Sequence, residues 1–151
     1  MTSISNDREF RDTIDQLDRD RQRALASLFV HGVADLVTIP ELKEAIETAM
    51  DPDASLVRRR DAYRSAKAVS VSTYTACGRD ADWLAQAEHF VAAACTVALT
   101  PDDVLPERTS VAWRAAMHAR TARNCAMIET GAAEEVTEAQ RQYETLGEFA
   151  G

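Results

Sequence analysis

Only one tract of this chain, residues 69–77 (VSVSTYTAC), alternates at the two-residue period of a β-strand. Val69, Val71, Thr73 and Thr75 interleave with Ser70, Ser72 and Tyr74. A strand needs a neighbour to satisfy its backbone N–H and C=O groups, and no second strand candidate occurs anywhere in the sequence. The tract is therefore predicted as a buried helix whose Ser and Thr hydroxyls bond back to carbonyls four residues earlier, with Gly78 ending it. The fold class that follows is all-α, a bundle of five to seven helices. At 151 residues one domain is the default, here residues 1–151, with 1–5 and 147–151 expected to fray.

The most regular helical signal lies in residues 107–131 (ERTSVAWRAAMHARTARNCAMIETG). Trp113, Ala116, Met117, Thr121, Asn124 and Ile128 recur at steps of three and four, the spacing of one helix face. Pro106 suits a first helical turn, where its missing N–H has no partner to lose, and Gly131 suits the left-handed residue that stops a helix. Asp102 or Asp103 would cap an early start, Thr109 or Ser110 a later one. His118 and Cys125 are seven residues apart on nearly one line of this helix. At ~1.5 Å per residue they stand about 10 Å apart along the axis, too far to share a metal ion or to pass a proton directly. The ordinary reading is a half-buried His and a small core thiol; the alternative is a polar seam that lines a ligand.

Elsewhere the chain reads as helices separated by capping and breaking signals. In residues 6–37 Phe10, Ile14, Leu17, Ala24, Leu25, Leu28 and Leu36 form one stripe, interrupted by DRDRQR, so the segment is one helix or two joined near residues 18–20. His31 and Asp35, four apart, would make a local ion pair. Thr38-Ile39-Pro40-Glu41 starts a short helix that stops at Asp51-Pro52-Asp53. The next helix is expected from Asp53 toward Cys77, with Arg60, Arg64 and Lys67 on one face. That basic face would pair with acids of neighbouring helices, or hold a phosphate or a partner's acidic patch. Asp80 or Asp82 caps a helix whose apolar face is Trp83, Ala87, Phe90, Val91, Ala94 and Ala98, closed by Thr100-Pro101; His89 falls off that face, toward a rim. Residues 132–146 read as an acidic, peripheral helix. The tracts 63–99 and 113–146 each join an Ala-rich, polar helix with a Cys before a Gly stop to a second helix. Two such hairpins would make a pseudo-symmetric bundle.

Charge and motif content narrow the function classes. The net charge of −8 is uneven: residues 1–50 hold 10 acids and 6 bases, 51–80 hold 4 and 6, and 81–151 hold 11 and 5. A duplex-binding domain offers a basic stripe without this acidic surround, so nucleic acid is not an expected partner. No uncharged apolar run approaches the ~20 residues of a membrane span, and the polar start MTSISNDREFRD is unlike a signal peptide. Cys77, Cys95 and Cys125 have no zinc-finger or CxxC spacing, which fits reduced thiols in a cytoplasm. Phosphate-loop, dinucleotide, zincin, nucleophile-elbow, EF-hand and Glu-x-x-His patterns are all absent. No cofactor or metal set is implied, and enzymatic activity is left open without a catalytic residue to name.

If the helix carrying Tyr74 and Cys77 packs against the one carrying His118, Thr121, Asn124 and Cys125, these groups converge in the bundle interior. They would line a small polar pocket, bind a soft metal, or satisfy one another's hydrogen bonds. The first functional expectation is a non-catalytic cytoplasmic regulator or accessory protein, similar in role to an immunity protein, antitoxin or chaperone. Its acidic surface would steer it onto a basic protein partner. The second is a small-molecule or metal-binding protein, or an enzyme, that uses the seam around His118 and Cys125. A homodimer is compatible with both.

Overall fold

The computed structural model describes residues 3–74, 82–131 and 135–151. Among them the chain forms seven α-helices and no strand: α1 (Asp7–Asp15), α2 (Arg19–His31), α3 (Pro40–Met50), α4 (Leu56–Tyr74), α5 (Trp83–Leu99), α6 (Val111–Thr130) and α7 (Glu138–Ala150). One turn of 3-10 helix, Ala34–Leu36, leads from α2 toward α3. No described helix is long and apolar enough to cross a membrane.

The bundle is built around α5. Its buried residues, among them Glu88, His89, Val91, Ala92, Ala94, Cys95 and Leu99, fall all around the helix, as they must in one enclosed by neighbours. Helices α4 and α6 pack along it most extensively, and α2 and α3 cover the rest. The α5–α6 seam is made of small side chains. Ala87, Ala94 and Ala98 of α5 and Ala115, Ala119 and Ala122 of α6 are almost wholly out of solvent. Alanine costs no side-chain entropy on burial and lets two backbones approach closely. A second cluster fastens α1 and α7 to this centre. Phe10 is fully buried, with ring centroids at 5.6 Å from Phe29, 6.0 Å from Trp113 and 5.5 Å from Tyr143.

Local signals explain most boundaries. Residues 6–37 are two helices, separated where Asp18 turns extended and accepts from the Arg21 N–H as the N-cap of α2. Residues 69–74 are helical, and the Thr73 hydroxyl bonds back to the Val69 carbonyl at 2.7 Å. The rest of that tract, including Cys77 and the expected stop at Gly78, lies outside the described residues. Asp82 caps α5, Gly131 ends α6 at φ 67°, and Thr137 with Gln140 forms a reciprocal capping box at the start of α7.

Other expectations are corrected. Helix α4 starts at Leu56 rather than Asp53, because Ser55 caps it by accepting from the Arg58 N–H at 3.1 Å. Helix α6 starts at Val111, and Pro106 sits instead in a turn closed by the Thr109 N–H on its carbonyl. Helix α7 runs to Ala150 with Gly147 buried, so the fraying expected from residue 147 is not seen. His89, placed at a rim by periodicity, is buried, because α5 is covered on that side by α4. Asp35 does not pair with His31, which is exposed; it turns to Arg123 of α6. The pairs α4–α5 and α6–α7 are not alike: the first packs extensively, the second meets only briefly.

Candidate functional site

The expected polar seam is split by the packing order. Helix α5 packs extensively on both α4 and α6, which among the described residues have at most slight contact with each other. Instead a line of rings crosses the three helices. Tyr74 of α4 has its centroid 6.0 Å from His89, His89 stands edge-on to Phe90 at 5.1 Å, and Phe90 stacks with His118 of α6 at 6.3 Å. His89 Nδ1 lies 2.9 Å from the Thr73 hydroxyl, whose shortest bond donates to the Val69 carbonyl; with the proton there, the imidazole is the donor of the pair. His118 is half-buried. Burial holds its pKa below the ordinary imidazole value, and the nearby Arg114 and His89 push it the same way.

The remaining seam residues are scattered. Tyr74 is 71 % exposed. Thr121 spends its hydroxyl on the Met117 carbonyl of its own helix, and Asn124 faces solvent. Cys125 is packed with Ala87 and Ala126 under Trp83 and Phe90. Cys77 lies outside the described residues. Burial pushes the Cys95 thiol up to about 12, which keeps it protonated and unreactive. Among the described residues no three His, Cys, Asp or Glu side chains are grouped to hold a metal ion.

The basic face of α4 is exposed but divided. Arg64 lies 3.4 Å from Asp61, and the Lys67 ammonium sits over the Tyr63 ring at 5.8 Å. Arg60 instead turns to a feature that periodicity does not reveal, an open cleft of about 1000 Å³. Helices α3 and α5 both stop beside this cleft, at Met50 and Leu99, each followed within two residues by a proline, Pro52 and Pro101. Helix α4 begins beside these two ends, at Leu56, and its first turns form one wall of the cleft; the first part of α2, from Asp20 to Leu28, forms another. The apolar surface comes from Ala24, Leu28, Ala49, Met50, Leu99 and Phe149. The α4 wall carries Arg59 and Arg60; the α2 wall and the turn after α5 carry Asp20, Asp102 and Asp103.

The acidic side is built, not accidental. Arg23 of α2 donates to Asp102 at 2.6 Å and to the Ala98 carbonyl at 3.1 Å, binding the end of α5 to α2. The Arg23 hydrogen bond holds the Asp102 carboxyl below its usual pKa, so it stays charged at neutral pH. The C-terminal end of α5 adds partial negative charge at the same place. The sequence signal that could have located the cleft is the pair of stops, Asp51-Pro52 and Thr100-Pro101, read as two helices ending at one level.

Comparison with protein-family models, with curated proteins and with solved structures found no match for the chain.

Proposed function

We propose that this protein is a non-catalytic, partner-binding regulator or accessory protein, and that the cleft beside the ends of α3 and α5 receives an amphipathic helix of its partner. One observation carries the reading: a cleft of about 1000 Å³ combines an apolar surface with charged rims, and its one lining hydroxyl, that of Ser27, donates to the Arg23 carbonyl of its own helix. Enzyme sites need a nucleophile, a base or an electrophile within hydrogen-bond reach of one another. A groove with an apolar bottom and charged edges is instead the form that takes the apolar face of a helix. The overall charge of −8 favours encounter with a basic protein.

The test is a blocking substitution. Ala24 lines the cleft and is exposed, so Ala24→Arg fills the groove without disturbing the core. Proteins crosslinked to the native chain inside producing cells should include one whose crosslinks map to α2 and the start of α4 and vanish in the variant. An identical crosslink set for both chains would remove the cleft from the function.

A further inference from the structure

We infer that the partner helix is charge-split, with acidic residues along the flank facing α4 and basic residues along the flank facing α2. This rests on the cleft being a helix-binding groove and adds the chemistry of what occupies it.

The argument starts from the placement of the rim charges. Helices α2 and α4 each pack on α3 and on α5 but scarcely on each other, so their cleft-facing residues form separate edges of the groove with α3 and α5 between them. Arg59 and Arg60 stand on one edge. The exposed carboxylates of Asp20 and Asp103 stand on the other. Asp102 is also there, 67 % exposed although Arg23 donates to it, so it retains accessible lone pairs. The C-terminal end of α5, which leads into Asp102, reinforces the negative edge. A helix with its apolar face in the groove presents its two flanks to these two edges. A uniformly basic helix would meet Arg59 and Arg60 with like charge, and a uniformly acidic one would meet the aspartates and the end of α5. Only a split helix satisfies both edges, which is how rim charges choose a partner and its orientation.

The probes are three synthetic 16-residue peptides with one leucine stripe at i, i+3, i+4, i+7 and onward. One carries glutamates on one flank and lysines on the other; the second carries lysines on both; the third carries glutamates on both. Fluorescence anisotropy at low salt gives their affinities for the full chain, for Ala24→Arg and for Arg59→Glu/Arg60→Glu. The split peptide should bind the native chain about tenfold tighter than either uniform one, and Ala24→Arg should abolish that binding. In the Arg59→Glu/Arg60→Glu variant the all-lysine peptide should become the tightest. Equal affinity for the three peptides, still lost in Ala24→Arg, would overturn the charge-split partner while leaving the groove a helix site. So would the all-lysine peptide binding the native chain best. Failure of every peptide to bind in an Ala24-dependent way would overturn the groove reading itself.

Discussion

Arg123 of α6 reaches Asp35, 88 positions earlier, and donates from both terminal guanidinium nitrogens to its two carboxylate oxygens, each at 2.8 Å. The same guanidinium donates to the Gly32 carbonyl at 3.1 Å and lies 3.4 Å from Glu138 at the start of α7. One side chain thus joins the end of α2, the turn after it, α6 and α7. Arg123 and Glu138 are both buried, whereas the Asp35 side chain is 63 % exposed. Arg123→Met should therefore lower unfolding free energy by about 3–5 kcal/mol, because it strands a buried carboxylate that Arg141 only partly compensates. Asp35→Asn should cost no more than about 1 kcal/mol. Urea titrations of the two variants check the ranking, and equal effects would contradict it.

Glu88 supplies a cap across the fold. It is buried on α5, and its carboxylate accepts from the N–H groups of Thr38 and Ile39 and from the Thr38 hydroxyl, just before α3. Ile39, the N-cap residue itself, has no side-chain acceptor; Glu88 takes its N–H and that of Thr38, as the N3 Glu of a capping box takes the N–H of its N-cap. Glu88→Ala leaves these donors without a partner and should destabilise by about 1–3 kcal/mol. Glu88→Gln keeps one oxygen for the N–H donors and a polar nitrogen for the hydroxyl, losing chiefly the charge at the helix start, about 1 kcal/mol or less. Thermal unfolding of both variants would separate them, and amide exchange in residues 41–44 should rise more in the Ala variant.

His118 makes stability depend on pH. Its folded pKa lies below the ordinary value of 6.5, so the unfolded chain binds the proton more readily. Between the two values stability rises with pH; the contribution is present above about 6.5 and is lost as pH falls toward the folded value. The midpoint of urea unfolding should thus drop between roughly pH 7.5 and pH 5. His118→Gln should flatten that part of the profile. An unchanged slope in the variant would assign the dependence to other groups.

Gly131 ends α6 in the left-handed conformation at φ 67°, and a Cβ added there would meet no other described group within 4 Å. The effect of Gly131→Ala is therefore the local crowding of Cβ against its own backbone, about 1 kcal/mol. Gly131→Asn, which tolerates this conformation, should cost less. Melting temperatures of the two variants test it; equal losses would mean that something other than the dihedral angle sets the requirement.

The expected seam and the observed cleft show how far local pattern reaches. Periodicity puts Trp113, Ala116, Met117, Thr121, Asn124 and Ile128 on the inward face of α6; Ala116 is buried and Trp113 and Met117 pack on the Phe10 cluster, yet Asn124 is exposed and Ile128 is 56 % exposed. The face that is buried is the alanine one, because α5 also presents alanines there and two small faces pack closer than a small and a large one. Residue hydrophobicity does not report that, since it ranks Ile above Ala without reference to the partner. His89 was misplaced for the same reason: its burial is conferred by α4 and by Thr73, neither of them near it in the sequence.

What the amino-acid order settled alone was the local structure: an all-helical chain, the cap of α5 at Asp80 or Asp82, the left-handed stop at Gly131, and helix in place of strand at residues 69–74. These rest on interactions spanning a few residues, which short-range spacing records. The tertiary structure alone decided that α5 packs on both α4 and α6, that Arg123 reaches Asp35, that Glu88 caps α3, and that the ends of α3 and α5 leave a charged-rim cleft. Each joins residues many positions apart. Such contacts follow from which helix faces fit together in space, a matter of shape between elements that no single helix's periodicity contains.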